Sequence, residues 1–242
     1  MVGSGQTGCQ LAEELFRSGR RVILACGRTA WMDRRLEDRD IFDWLLEIGF
    51  LDQGREHIGD PAELLLANAQ ATGGRGGHDL HYRTLAALGV ELAGHLVAAD
   101  DDGAHFAPDL AESVAFGDER RAQLCEAIRA SREARGLSVP DFPEPAPFDV
   151  AGLESVGIAE LGSVIVATGY RPGYSEMILH PEAFDDIGFP LQEDGASTVL
   201  PGLFFIGVHY LRKRKSALLL GIGEDAAVVG GAVAEYVAAP RA

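Results

Sequence analysis

Lysine is almost absent from this 242-residue chain, and basic charge as a whole is in short supply. Lys213 and Lys215 are the two lysines, and 37 acidic residues outnumber 21 lysines and arginines to give a formal net charge of −16. A surface of that sign repels the phosphate backbone of nucleic acids. We therefore expect no nucleic-acid partner.

The cysteines are too few and too scattered to form a paired site. Cys9, Cys26 and Cys125 are the three in the chain, and no CxxC pair exists. This spacing argues against a dithiol–disulfide reductase and against a cysteine zinc site.

The sequence also lacks an unbroken apolar run of the length that crosses a membrane. The most apolar stretch, residues 217–237, is rich in glycine and interrupted by Glu224 and Asp225, whereas a span needs about 20 apolar residues. The N-terminus has no basic segment followed by an apolar core, as a secretory signal would. We expect a cytoplasmic protein without a membrane span.

A glycine motif of the form G-x-G-x-x-G opens the chain. It consists of Gly3, Ser4, Gly5, Gln6, Thr7 and Gly8. Residues 9–18 follow with apolar side chains at helical spacing up to Gly19, and residues 21–26 (RVILAC) indicate a strand buried on both faces. This order is typical of a dinucleotide-binding βαβ unit, in which the glycines let the backbone approach a pyrophosphate at the helix N-terminus.

The end of the second predicted strand indicates which nucleotide is bound. An NAD site usually has an acidic residue about twenty residues beyond the glycines, but this chain has Arg28 there, with Arg34 and Arg35 close behind. A guanidinium suits a 2′-phosphate, so the pattern predicts NADP(H). The alternative interpretation is a chance glycine turn followed by an ordinary surface arginine.

The first predicted strand is very short. Only Met1 and Val2 precede the first glycine, whereas a strand is usually about five or six residues long. We therefore expect a chain that has been cut within its first strand.

The middle of the chain contains a predicted helix at residues 39–50, a hairpin that turns at Asp100–Gly103 and a charged helix at residues 112–135. The glycine-rich residues 73–77 are interpreted as a connecting loop, and the proline-rich residues 140–147 as a loop or boundary. His78 and His81 have no third ligand nearby in the sequence, so a metal site is not expected.

Two apolar strands and a helix are predicted in the last eighty residues. The first strand, residues 163–167, is followed by Thr168 and Gly169, and the second, residues 202–206, is followed by Gly207. Residues 212–216 (RKRKS) then lead to a helix of small residues that ends near Val237. The basic residues of this link suit either a phosphate site or a solvated turn.

Three motifs together resemble the flavin-containing monooxygenase-like branch of the flavoproteins with two dinucleotide-binding domains. They are VGSGQTG, VIVATGYRP and PGLFFIGVHYLRKRKSALLLGIGEDAA, in the order of the family and over nearly the whole chain. The first resembles the NADPH-binding turn of the family, the second its crossover between domains, and the third its return into the FAD domain.

The resemblance implies an α/β fold: a Rossmann-like, three-layer NADP(H)-binding domain at residues 1–161, with the hairpin as an insertion, and part of an FAD-binding domain at residues 162–242. We expect residues 21–26 and 163–167 to lie in the interior of these domains. The resemblance also places several residues near the bound FAD or NADP(H). These are Thr168, Gly169, Gly207, Lys215, Ser216, Glu224 and Asp225.

The implied chemistry is hydride transfer from NADPH to FAD, after which the reduced flavin activates molecular oxygen for attack on a soft nucleophile or a ketone. The chain departs from the family in having no upstream glycine motif and no acidic residue directly after Gly207. FAD binding by this chain alone is therefore not expected, and a missing N-terminal FAD-binding segment or a second copy of the chain is the expected partner.

Two other functions remain open. If the flavin half is absent altogether, the chain is a non-catalytic NADP(H)-binding module. If another polypeptide supplies it, the chain is one chain of a two-chain flavoenzyme. A simple NADP-dependent dehydrogenase is less favoured, because no Tyr/Lys or His/Asp pair stands out as catalytic.

Overall fold

The computed structural model describes residues 1–59, 64 and 69–239, and these form a mixed α/β protein. The helices are α1 (Gln6–Arg17), α2 (Ile41–Glu47), α3 (Tyr82–Leu88), α4 (Leu110–Ala134), α5 (Tyr174–Met177) and α6 (Leu219–Ala238). The strands are β1 (Ile23–Ala25), β2 (Arg35–Leu36), β3 (Arg39–Asp40), β4 (Glu91–Ala93), β5 (Leu96–Ala99), β6 (Gly103–Phe106), β7 (Ser155–Gly157), β8 (Gln192–Glu193) and β9 (Ala196–Ser197).

Parallel pairing organises the start of the chain. Strand β1 pairs with β4, and Val2 forms parallel bridges to Ala25 on one side and Val166 on the other. A further parallel bridge joins Ala93 to Leu153. Val2 thus lies between two parallel neighbours, and the glycine motif follows directly after it in the chain.

The chain divides into two compact units. The first contains Met1–Trp44 and Ala67–Gly169, and the second contains Leu45–Leu66 and Tyr170–Ala242. The expected division into an NADP(H)-binding domain up to residue 161 and part of an FAD-binding domain from residue 162 stays a prediction.

Each unit has its own apolar core. In the first, side chains of α1, β1, α3, β4 and α4 pack together, among them Cys9, Leu24, Leu85, Leu92 and Val114. Complete burial of a leucine such as Leu24 stabilises the fold by roughly 1.5–3 kcal/mol. In the second unit, the core is built largely from Phe184, Phe189, Phe205, Tyr210, Leu211 and Val229.

Several local predictions are confirmed. The predicted hairpin forms between β5 and β6, and predicted helices appear as α2, α4 and α6. Helix α6 begins at Leu219, and its buried side is the narrow stripe Gly221, Asp225 and Val229.

The expectation of two interior strands is half right. Val22, Leu24 and Cys26 are buried as expected. Residues 163–167 are extended and bonded to Val2 through the Ile165 carbonyl and the Ala167 amide, but Val164 is 60% exposed and Val166 is 68% exposed. The prediction of burial is wrong there, because backbone pairing covers an edge of the strand and leaves its side chains uncovered by the described residues.

No helix in the described part of the chain combines the length and the apolar character needed to cross a bilayer.

Candidate nucleotide-binding site

The glycine turn is a close approach of three backbone segments. Gly3 has φ of +98°, and a Cβ placed on it would lie 2.5 Å from the carbonyl oxygen of Ala167. A Cβ on Gly8 would lie 2.0 Å from the carbonyl oxygen of Gly3. Both positions therefore require glycine, since any side chain would push these segments apart. The same packing brings the amide of Thr168 beside Gly3.

Helix α1 begins directly at this turn with an uncapped end. Gly5 is the N-cap residue, no side chain makes a capping hydrogen bond, and no acidic residue lies in the first turn. The side chain of Gln6 instead exchanges two hydrogen bonds with the backbone of Ala71, and Thr7 is exposed. The first-turn amides and the positive end of the helix dipole are therefore available to an anion such as a pyrophosphate.

Ser4 and Tyr82 connect the glycine turn to the end of β1. The Gly27 amide donates to Ser4 Oγ at 2.9 Å, and Ser4 Oγ lies 2.6 Å from Tyr82 Oη. The Tyr82 hydroxyl in turn donates to the Gly27 carbonyl. Burial raises the pKa of Tyr82 well above its usual value, so the hydroxyl keeps its proton. Sequence reasoning missed Tyr82, which is 78 residues from Ser4 along the chain.

Gln70 is a second buried side chain at the turn that sequence reasoning missed. Its side-chain amide donates to the Ser4 carbonyl at 2.6 Å, and its backbone amide donates to the Ala30 carbonyl at 2.8 Å. Gln70 is 1% exposed. It therefore fixes the residues after β1 to the glycine turn.

The three arginines after β1 differ in what they contact. Arg34 donates to Asp40, and Arg35 donates to the carbonyls of Gly76 and Gly77 at 2.8 and 2.9 Å. Arg28 is exposed, and no hydrogen bond or ion pair of its guanidinium is found among the described residues. Of the three, Arg28 has its charge available for a ligand.

Two buried thiols lie close to the turn without being activated. Burial raises the pKa of the Cys9 thiol to about 12, and burial together with Cys9 raises that of Cys26 well above its usual value. Both cysteines stay protonated near neutral pH, so they pack as apolar side chains and do not act as nucleophiles.

His78 and His81 are separated in role. His78 Nε2 lies 3.0 Å from a carboxylate oxygen of Glu13, which also accepts from Arg17 at 2.9 Å. His81 is buried and packs on the ring of Trp31 with centroids 4.2 Å apart. Within residues 1–59, 64 and 69–239, no group of three or more histidine, cysteine or acidic side chains is arranged to hold a metal ion.

In the second unit, both lysines are fully engaged. Lys213 Nζ lies 2.9 Å from Asp52 and 3.0 Å from Glu224, and Lys215 Nζ lies 3.0 Å from Asp52 and 2.5 Å from Glu224. We call these four residues the lysine cluster. Hydrogen bonds within it lower the pKa of both carboxyls and raise the pKa of both amines. The charges of the two lysines are therefore neutralised inside the unit.

Ser216 and Asp225 are internal supports of the same region. Ser216 is fully buried, and its hydroxyl accepts the amides of Arg212 and Lys213 at 3.1 and 3.0 Å. Asp225 is 1% exposed, and its Oδ1 lies 3.4 Å from Arg212. Neither side chain reaches the surface.

The remaining predicted site residues differ in what they contact. Thr168 and Gly169 are exposed at the end of the first unit, whereas Glu224, although exposed on α6, is bonded to both lysines of the lysine cluster. Gly207 is half-buried and has φ of +72°. The structure therefore brings Gly3–Gly8, Arg28 and Thr168 together in the first unit, and Lys215, Ser216 and Glu224 together in the second.

The chain is similar to a protein named uncharacterized oxidoreductase CzcO-like, from Geobacillus kaustophilus (strain HTA426), with 36% identity over 227 residues. The alignment covers 93% of this chain and 49% of the relative, so the chain spans about half the length of the curated relative it matches. No protein-family model matches the chain. No solved structure matches it either.

Proposed function

We propose that this chain binds NADP(H) and serves as the nucleotide-binding part of an FAD- and NADPH-dependent oxidoreductase. The observation that supports the proposal is the glycine turn, where two side-chain-free positions and the uncapped end of α1 make room for a pyrophosphate beside a free arginine. The name of the Geobacillus relative, an oxidoreductase, agrees with a redox role.

The pyrophosphate is assigned to the turn and the 2′-phosphate to Arg28. We propose that the parallel pairing of Val2, β1 and β4 is Rossmann-like. In that fold a nucleotide lies across the carboxyl ends of the strands, which is where the glycine turn follows Val2. Gly3 and Gly8 allow close approach of the diphosphate, and the first-turn amides of α1 donate to it. Arg28 supplies a charge-assisted contact that NADH cannot use.

The fit to FAD is partial. Thr168 and Gly169 are exposed and suited to direct contact, whereas Lys215, Ser216, Glu224 and Asp225 have partners within the protein. The pyrophosphate of FAD needs a glycine turn of its own. Among the described residues, the glycine turn at Gly3–Gly8 is already assigned to NADP(H). We therefore propose FAD binding only together with a further FAD-binding segment, in the same polypeptide or in a second chain.

With that segment present, the flavin would supply hydride acceptance and reaction with oxygen, as in monooxygenases. The contribution of this chain is to bind and orient NADPH. A soft nucleophile or a ketone as the organic substrate, and molecular oxygen as the oxidant, follow from the resemblance to monooxygenase-like flavoproteins alone.

The second candidate, one chain of a two-chain flavoenzyme or a non-catalytic NADP(H)-binding module, is favoured by uncovered apolar side chains. Val166 is 68% exposed and Leu219 is 96% exposed, which is typical of surfaces that meet another polypeptide.

An absorption spectrum after gel filtration tests the assignment of the turn. We expect the 242-residue chain to bind NADPH in a calorimetric titration, to show no flavin bands and to consume no oxygen with NADPH. Adding a segment with its own glycine turn, fused or separate, is expected to give a yellow protein. A stoichiometric flavin signal from this chain alone would contradict the proposal and would assign Gly3–Gly8 to FAD.

A further inference from the structure

The hydrogen bonds between Ser4, Tyr82 and Gly27 close into a ring. The single proton of the Tyr82 hydroxyl goes to the Gly27 carbonyl, so Ser4 must donate its own proton to Tyr82 Oη. The Gly27 amide completes the circuit by donating to Ser4 Oγ. Every donor in this hydroxyl ring is used once, and Ser4 and Tyr82 are 3% and 4% exposed.

The hydroxyl ring holds the peptide groups on both sides of Gly27. Sterics do not restrain this residue, because a Cβ on Gly27 would meet no atom within 4 Å. Glycine also has the widest choice of backbone angles. The two hydrogen bonds therefore fix the direction in which the chain leaves Gly27, and Arg28 is the next residue.

The Arg28 side chain depends on the backbone for its position because it has no contact of its own. Its side chain is exposed and has no hydrogen bond or ion pair within the described ranges. Its neighbours further along, Arg34 and Arg35, are fixed by their own contacts. The backbone, held at Gly27 by the hydroxyl ring and at Ala30 by the Gln70 amide, therefore determines where the Arg28 guanidinium is presented relative to the glycine turn.

We propose that Tyr82 is a positioning residue for nucleotide preference: through the hydroxyl ring it orients Arg28 toward the 2′-phosphate of NADP(H). This inference rests on the proposed function. A preorganised arginine loses less conformational freedom when it binds phosphate. Loss of the Tyr82 hydroxyl therefore weakens NADPH binding and leaves NADH binding nearly unchanged, since NADH makes no contact with Arg28.

A double-mutant cycle tests the inference. NADPH and NADH are titrated against the wild type, Tyr82→Phe, Arg28→Ala and the double variant. Tyr82→Phe is expected to reduce the preference for NADPH about three- to tenfold, the range of one lost hydrogen bond. In the Arg28→Ala background it is expected to have no further effect on the preference. Tyr174→Phe, in the second unit, serves as the control with unchanged preference.

The outcomes separate the inference from the proposed function. Equal weakening of both nucleotides by Tyr82→Phe, or the same loss of preference without Arg28, overturns the positioning role while leaving NADP(H) binding intact. Failure of the wild type to bind NADPH overturns the proposed function and the inference with it. If Tyr82→Phe does not fold by circular dichroism, Ser4→Ala opens the same ring, and a preference for NADPH as strong as that of the wild type contradicts the inference.

Discussion

His81 shows how burial of one side chain sets a pH dependence. It packs against Trp31 and is 8% exposed, and burial lowers its pKa to about 4. In the unfolded chain a histidine titrates near pH 6.5. Between these two pH values the histidine is protonated in the unfolded state and neutral in the folded state. The free energy of unfolding therefore falls as the pH drops from about 6.5 to about 4.

We expect this histidine to make the protein about 2 kcal/mol less stable at pH 5 than at pH 7. The measurement is urea unfolding at both pH values, for the wild type and for His81→Phe, which keeps a ring but cannot titrate. The pH-dependent loss should be smaller in the variant by that amount. Identical pH profiles would show that His81 is protonated in the folded protein.

At the scale of elements, the lysine cluster joins residues near Asp52 to α6. The exposed fractions of the two lysine side chains differ, at 31% for Lys213 and 9% for Lys215. Both amines have a raised pKa, Lys213 chiefly through Asp52 and Lys215 chiefly through Glu224. Because these are the two lysines of the chain, amine chemistry reports on the cluster without interference from other lysines.

We expect acetic anhydride at mildly alkaline pH to modify Lys213 several times faster than Lys215, as followed by mass spectrometry of peptides. Asp52→Asn should speed up both reactions, since removing the carboxylate lowers the pKa of both amines and exposes more neutral amine. Asp186→Asn, at an exposed acid that contacts neither lysine, should change neither rate. Equal rates for the two lysines in the wild type would contradict the cluster.

The elements that sequence predicted well are those set by local patterns. Periodic apolar spacing is enough for α2, and a cluster of aspartates followed by glycine is enough for the β5–β6 turn. The burial expected for residues 163–167 failed because burial depends on what packs against a strand, which an apolar run does not record. The roles of Tyr82 and Gln70 were invisible for the same reason, since their partners are 78 and 66 residues away.

The residues of the candidate site also differ in how the sequence indicated them, and their binding roles stay predictions. The glycine motif and Arg28 were predicted because each depends on the spacing of a few neighbouring residues. Lys215, Ser216 and Asp225 were named by resemblance, and the structure gives them internal partners. Which polar side chains face a ligand and which face the protein is decided by packing across long stretches of chain.

At the scale of the whole molecule, uncovered apolar side chains predict association. Val166 and Leu219 are among the most exposed, at 68% and 96%, and apolar surface of this kind is stabilised by removal from water. We expect light scattering to give a mass above that of one chain, rising with protein concentration. The combined Val166→Thr and Leu219→Gln variant should shift the protein toward the monomer.

Val97→Thr, on the antiparallel strand β5 where Val97 is 62% exposed, is the control and should leave the mass unchanged. A wild-type chain that stays monomeric at every concentration would show that these side chains do not drive association.

The central claim is that the glycine turn and Arg28 together bind NADP(H), and calorimetric titration with NADPH and NADH tests it most directly. The wild type should prefer NADPH, and Arg28→Ala should remove most of that preference, because a charge-assisted contact to phosphate contributes roughly 1.5–3 kcal/mol, or about tenfold or more in affinity. Arg20→Ala removes the same charge beyond the other end of α1, a 12-residue helix and so about 18 Å long, and should leave the preference intact. Equal affinity of the wild type for both nucleotides, or equal effects of the two substitutions, would contradict the account.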